Sequence, residues 1–315
     1  MTKLKDIQMA KRRMSKFIKH TPLYYSSYFS QISNHHVYLK LENLQKTGAF
    51  KIRGASNFIL QLEPSLGRKG VITASSGNHG KAVAFSVSCV GYPARVVVPT
   101  NASLSKVGAI KNYGAKIVYW GKASKERIEK AKELSREEKL TFIHPFNHPW
   151  IIEGQGTVGL EIIEDLPKVE TVLVPVGGGG LISGVALAIK ENNPKVKIYG
   201  VEPFGGNSMY VSLQTGKPTE LKNINTIADG LRSSQPGDLT FALVKKYVDG
   251  IILVNDAEIK IALKALLLED KFLAEPSGVV TLAALLAGKI PSENKRVVTV
   301  ISGGNVDMEV IKKIL

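Results

Sequence analysis

The run Thr47-Gly48-Ala49-Phe50-Lys51-Ile52-Arg53-Gly54-Ala55 sets a lysine where a strand gives way to a helix. The segment before it, His36-Val37-Tyr38-Leu39-Lys40-Leu41, reads as a strand. The segment after it carries apolar residues at Ile52, Ala55, Ile59 and Leu62, which is one face of a helix. Lys51 therefore falls in the first helical turn, among unpaired N–H groups at the positive end of the helix dipole, where its charged form is disfavoured. A neutral amine is what Schiff-base chemistry needs. Taken alone, the run also fits a surface lysine beside a glycine turn.

Three further segments follow strand-like stretches and are rich in glycine or small polar residues. Val172-Leu173-Val174-Pro175-Val176 leads into Gly177, Gly178, Gly179 and Gly180 and then Leu181-Ile182-Ser183-Gly184. Successive N–H groups without side chains, at a helix start, can close around a phosphate. A nicotinamide-binding turn is the competing reading, with Glu202 as the acid about 20 residues on. The pattern Gly178-x-Gly180-x-x-Ser183, however, lacks the third glycine. Ser75-Ser76-Gly77-Asn78-His79-Gly80 offers hydroxyls, an amide and free N–H groups as a nest for a carboxylate. The two serines are equally capable of simple N-capping, and His79 has no partner at metal-ligand spacing. Ser302-Gly303-Gly304-Asn305 closes the last strand, and its hydroxyl can donate to or accept from a ring nitrogen.

The elements that must position these residues alternate between strand and helix along nearly the whole chain, the pattern of a mostly parallel α/β sheet. Strands are expected at 71–74, 95–98, 117–120, 171–176, 198–201, 251–254 and 297–301. Helices are expected at 81–90, 104–112, 125–139, 151–165, 181–192, 257–269 and 279–286. Several strands are unbroken Val/Ile runs, which implies burial on both faces. Ligands of such sheets lie beyond the carboxyl ends of the strands, where the glycine segments fall.

Composition narrows the class. With 315 residues the chain can build two sub-domains. No window approaches the roughly 18 uninterrupted apolar residues of a membrane span, and the basic N-terminus lacks the apolar centre of a secretory signal. It reads as an amphipathic surface helix, and the protein as soluble and cytoplasmic. A single cysteine, Cys89, excludes an internal disulfide and a cysteine-rich metal site. Its place in the apolar stretch 82–90 suggests buried filler. Residues 1–69 hold 13 of the 42 Lys/Arg and 3 of the 27 Asp/Glu, so ten of the fifteen excess charges lie there. They accompany no nucleic-acid reader motif and suit a face that attracts anionic metabolites.

In this order the segments resemble the pyridoxal-phosphate enzymes of the tryptophan-synthase-β type, fold type II, and within them the threonine/serine dehydratases and serine racemases. The likeness also takes in His20-Thr21-Pro22-Leu23, Lys40-Leu41-Glu42-Asn43-Leu44-Gln45, Gly154-Gln155-Gly156-Thr157, Gly200-Val201-Glu202-Pro203, Ile227-Ala228-Asp229-Gly230-Leu231 and Glu275-Pro276-Ser277-Gly278. The resemblance implies two open, mostly parallel α/β sub-domains with pyridoxal 5'-phosphate in the cleft between them. One would comprise 1–68 plus 148–315 and anchor the cofactor; the other, 69–147, would be small, mobile and bind the substrate carboxylate. It implies Lys51 as Schiff-base anchor and general base, Phe50 packing by the ring, and Asn78 at the ring 3-oxygen. Gly177 to Gly180 with the Leu181 N–H would hold the phosphate, and Ser302 the pyridine nitrogen. Ser75, Ser76, Asn78 and His79 would cradle the carboxylate, and Ser76 would deliver a proton on the face opposite the lysine in a racemase.

The activity implied is β-elimination of water from L-threonine, and from L-serine, giving a 2-oxo acid and ammonia. A neutral serine at the ring nitrogen, in place of an aspartate, favours elimination over transamination. Serine racemase with side dehydratase activity is the alternative. Racemase-type relatives place a glutamate and, six residues on, an aspartate around a divalent metal. Here Glu202 is present but Ser208 stands in the second position, leaving Glu202 a weak metal candidate and any activating mono- or divalent cation open. The chain ends ten residues past Asn305, so a C-terminal regulatory domain is not expected. The expected partners are a small amino-acid substrate and further copies of the chain in a homodimer or homotetramer, without nucleic acid or membrane. A nicotinamide oxidoreductase, or a binding protein on a decayed enzyme scaffold, would leave Lys51 without a role.

Overall fold

The computed structural model describes residues 2–121, 124–290 and 295–314. Among them, β1 (Leu23–Tyr25), β2 (His36–Leu41), β7 (Thr171–Pro175), β8 (Lys197–Pro203), β9 (Gly250–Val254) and β10 (Arg296–Ile301) form a six-stranded sheet in the order β1-β2-β10-β7-β8-β9. A four-stranded sheet, β5-β4-β3-β6, is built from β3 (Val71–Ala74), β4 (Ala94–Val98), β5 (Lys116–Tyr119) and β6 (Thr141–Phe142). All pairings are parallel except that of β1 with β2. Every residue of β3 and β7 is buried, as expected of parallel strands covered by helices on both faces. In β9, at the sheet edge, only Val254 is buried.

The helix Lys51–Gln61 is buried without a break from Ile52 to Ile59, more fully than the single apolar stripe predicts. One side joins the core of the four-stranded sheet, where Ile52, Ala55, Phe58, Ile59 and Leu62 meet Val71, Val83, Val87 and Val96. The other side lies backbone to backbone on the helix Pro149–Asp165. A Cβ on Gly54 would stand 2.9 Å from the Ile151 carbonyl oxygen, and one on Gly154 would stand 2.4 Å from that of Arg53. The glycine pair is what allows this approach, and the Lys51 helix becomes a wedge shared by both halves of the molecule.

Beneath that wedge lies a cluster of buried charges. The Arg53 guanidinium donates to both oxygens of Glu42 at 2.8 and 2.7 Å and to both oxygens of Glu161 at 2.6 and 2.8 Å. Lys40 pairs with Glu161 at 2.7 Å, and the Thr21 hydroxyl donates to Glu42 at 2.5 Å. Burial opposes the charge on Arg53, but the two carboxylates outweigh it and raise its pKa. Glu161 is likewise pushed up by burial and pulled down further by Arg53 and Lys40, to about 2.

The N-terminal helix, Leu4–Met14, is amphipathic as expected: Ile7, Ala10 and Met14 are fully buried on one face, with Ile7 packed against Leu160, Leu187 and Ala188, while Lys5, Gln8 and Arg12 are exposed. One expectation is corrected here. Cys89 is exposed, not buried filler. It caps the C-terminus of the helix Asn78–Ser88, and the helical turn carries it off the buried face formed by Ala82, Val83, Ala84 and Val87.

Candidate active site

The segments that follow β2, β3, β7 and β10 are brought together: Phe50 bonds to Ser302, Asn78 bonds to Glu275 and Asn305, and Phe146, next to the Lys51 partner Pro145, lies against Gly178. Lys51 is the first residue of its helix, preceded by Phe50 in helical conformation. Its Nζ donates to the Pro145 carbonyl at 2.9 Å and lies 5.2 Å from the centre of the Phe50 ring. Burial lowers its pKa to about 8, against the opposing charge of Glu275. The amine is thus partly neutral near neutral pH, the form that attacks a carbonyl.

Phe146, the next residue after Pro145, packs on the tetraglycine segment. A Cβ on Gly178 would meet its ring at 2.4 Å, and one on Gly180 would meet its Cβ at 3.0 Å. Gly179, at φ +92°, is the left-handed N-cap of the helix Gly180–Asn192. The N–H groups of Gly177 to Leu181 take no acceptor from the described residues, whereas the Ser183 N–H already donates to the Gly179 carbonyl. Five free N–H groups at a helix start, uncovered by side chains, fit a phosphate group.

Ser302 is buried at the end of β10, and its carbonyl accepts from the Phe50 N–H at 3.1 Å, which ties the lysine run to the last strand. The neighbouring bridge between Ala49 and Gly303 makes the same connection. Beyond β3, Ser75 and Ser76 are half-buried, and the Ser75 hydroxyl accepts from the Gly77 N–H at 3.2 Å. The turn is tight: a Cβ on Gly80 would stand 2.1 Å from the Ser75 carbonyl oxygen. His79 is buried, and burial together with the charge of Lys51 holds its imidazole well below the usual histidine range. Its ring nitrogens have no partner in good hydrogen-bond geometry, so what it offers an anion is its backbone N–H.

Asn78 opens the helix Asn78–Ser88 and is held by neighbours that the sequence reading passed over. Its Nδ2 donates to Glu275 Oε1 at 2.7 Å, and its Oδ1 accepts from Asn305 Nδ2 at 2.8 Å. Burial, with Asp229 nearby, raises Glu275 to about 8. Glu275 sits in a quoted motif, but nothing at that position marks it as a site residue until the fold brings it to Asn78.

Glu202, the acid a ribose-binding reading would need, is engaged by the backbone that follows it. Its buried carboxyl accepts from the Met209 N–H at 3.0 Å and the Tyr210 N–H at 2.8 Å, capping the helix Ser208–Thr215. Burial raises it to about 8 despite those two bonds. Among the described residues no group of three or more His, Cys, Asp or Glu is arranged to hold a metal ion.

Known proteins resemble this chain over nearly its whole length. The family described as "Pyridoxal-phosphate dependent enzyme" matches residues 14–303. An L-threonine ammonia-lyase of Thermotoga maritima is 47% identical over 315 residues, covering 100% of this chain and 78% of the relative. The structure of maize serine racemase superposes with a TM-score of 0.95 at 40% identity, covering 99% of this chain and 96% of that one. The processed threonine deaminase isoform 2 of Solanum lycopersicum gives a TM-score of 0.94 at 37% identity over 99% and 91%.

Proposed function

Because the chain belongs to the pyridoxal-phosphate dependent enzyme family, we propose that it is a threonine ammonia-lyase that converts L-threonine to 2-oxobutanoate and ammonia and acts likewise on L-serine. The likeness of the whole of this chain to 78% of an L-threonine ammonia-lyase carries this reading. The reaction removes water across Cα–Cβ, and the enamine released takes up water and loses ammonia.

The cofactor, when bound, supplies an aldehyde that condenses with amines and a ring that draws electrons from Cα. The residues around the cleft have the character this group needs. Lys51 presents an amine with a lowered pKa, and the free N–H groups of Gly177, Gly178, Gly179, Gly180 and Leu181 are matched to a phosphate. Asn78 offers an amide hydrogen for the ring 3-oxygen, Phe50 flanks the lysine, and Ser302 offers a hydroxyl to the ring nitrogen. Lys51 Nζ, as a neutral amine, would accept the Cα proton as general base. Ser75 and Ser76, with the N–H groups of Asn78 and His79 at the helix start, bind the substrate carboxylate. Closure of residues 69–147 over that carboxylate excludes water from the cleft.

Serine racemase is the second reading, favoured by the maize structure and by Ser76 standing in the same segment as the carboxylate nest. Incubation with L-threonine and L-serine, followed by assay of 2-oxo acid and chiral analysis of the remaining amino acid, decides between them. Release of 2-oxobutanoate is expected; D-serine accumulating without 2-oxo acid would overturn the lyase. No helix among the described residues is long and apolar enough to cross a membrane. A cytoplasmic setting and a homodimer or homotetramer complete the proposal, and light scattering of the purified protein tests the latter.

A further inference from the structure

We propose that Glu275 is a positioning residue of the cofactor site, bonding one hydrogen of the Asn78 amide so that the other is presented to the cofactor. This rests on the pyridoxal-phosphate reading and deepens it. The argument begins at Thr47, whose carbonyl can only accept a hydrogen bond. The Asn305 amide group facing it at 2.8 Å must therefore be the NH2. At its other end Asn305 Oδ1 meets Lys81 Nζ at 3.0 Å, and an ammonium can only donate, so both ends fix the same orientation. The second hydrogen of Asn305 Nδ2 goes to Asn78 Oδ1 at 2.8 Å, which makes that side of Asn78 the acceptor. Asn78 Nδ2 is then turned to Glu275, bonded at 2.7 Å, with one hydrogen left over.

Glu275 is itself fixed from behind. Its backbone N–H donates to the Gly303 carbonyl at 3.0 Å, and its carboxyl occupies the space a Gly303 side chain would need, 2.7 Å from where the Cβ would be. One buried carboxyl thus ties the end of β10, beside Ser302, to the first residue of the helix that follows β3. The groups that bear on its charge are Asp229, which favours the protonated form, and Lys106, which opposes it. Lys51 and Lys81 in turn feel its charge. The arrangement predicts that the carboxyl carries a proton at neutral pH and loses it as the pH rises through about 8.

The test uses the full chain with pyridoxal phosphate as the probe, comparing the unchanged protein with E275Q and E275A. The readouts are the rate of cofactor loss on dilution and the pH dependence of the visible band. Glutamine keeps an acceptor for Asn78, so E275Q should retain the cofactor to within a few-fold. Its band should no longer shift as the pH passes through the titration of the native carboxyl. E275A frees the Asn78 amide and should lose cofactor roughly 10- to 100-fold faster, the range typical when a supporting partner of a ligand-binding residue is removed. A band in E275Q that titrates like the unchanged protein's, or E275A holding cofactor as firmly as the unchanged protein, overturns the proposal. If E275A does not fold, E275Q decides alone. Failure of the unchanged protein to take up pyridoxal phosphate would overturn both this role and the family reading.

Discussion

The Lys51 amine is buried at the start of its helix, and the pH behaviour of the protein should register that burial. Its neutral fraction grows as the pH rises through about 8, so attachment of pyridoxal phosphate to the cofactor-free protein should accelerate over that range and then level off. Stopped-flow absorbance checks this; a rate that keeps climbing towards the ordinary lysine value of 10.5, with no levelling above about pH 9, would contradict a lowered amine pKa. Lys51→Ala should abolish borohydride-stable labelling and lower turnover by roughly 10²–10⁴-fold, the span attributable to a lost general base. Gly179→Ala attacks the phosphate loop. At φ +92° any side chain is strained, and here the Cβ would also meet Met209 Cε at 2.7 Å and Thr240 Cβ at 2.8 Å. The backbone term alone costs about 1–2 kcal/mol. Weaker cofactor binding, read by equilibrium dialysis, is the expected companion to that loss.

The glycine segments are legible in the sequence because each sits where a continuous apolar strand stops, so local order by itself carries them to the cleft. The charges under the Lys51 helix have no such signal. Arg53 lies 11 residues from Glu42 and 108 from Glu161, and no periodicity relates them until β2 and the helix Pro149–Asp165 are packed together. Glu275, 197 residues from Asn78, escapes notice for the same reason. β1 and β6, three and two residues long, are too short for an alternation pattern to register. Cys89 is misread because apolar neighbours in sequence are taken for neighbours in space. The buried cluster also makes a prediction of its own. Arg53→Met leaves two carboxylates without their shared partner and should cost about 3–5 kcal/mol in urea unfolding, as broken buried ion pairs do. Arg53→Lys keeps the charge but cannot fork to both carboxylates, so it should recover only part of the loss. Because Glu161 is held at about 2 when folded against 4.5 ordinarily, its contribution is present above that ordinary value and is lost as the pH falls towards 2.

Across the whole molecule the two sheets are joined by polar contacts as well as by the shared helix. Lys106 pairs with Asp229 at 2.6 Å, Ser105 donates to Asp307 at 2.6 Å, and Asn78 meets Glu275. Both members of the Lys106–Asp229 pair are partly exposed, so Asp229→Asn should change stability by no more than about 1 kcal/mol. Its larger effect should be a raised KM, if the pair helps hold the sheets closed over substrate. Buried titratable groups shape the stability of the cofactor-free protein. Glu202 and Glu275 hold protons up to about 8 when folded but only to 4.5 ordinarily, so they make stability fall as the pH rises between those values. Lys51 binds its proton less tightly folded, about 8 against 10.5, so stability recovers above pH 8. A minimum near pH 8 in the urea midpoint is the expected result, and Glu202→Gln should make its acid side shallower. The exposed cysteine offers a test of the closure proposed for residues 69–147. Cys89 ends the helix that Asn78 begins, 11 residues or about 16 Å away at 1.5 Å per residue, so a dye on that sulfur rides a lever whose far end is in the cleft. Since the chain has no other thiol, it accepts a single label without the removal of any residue, and a label signal unchanged on substrate binding would count against closure.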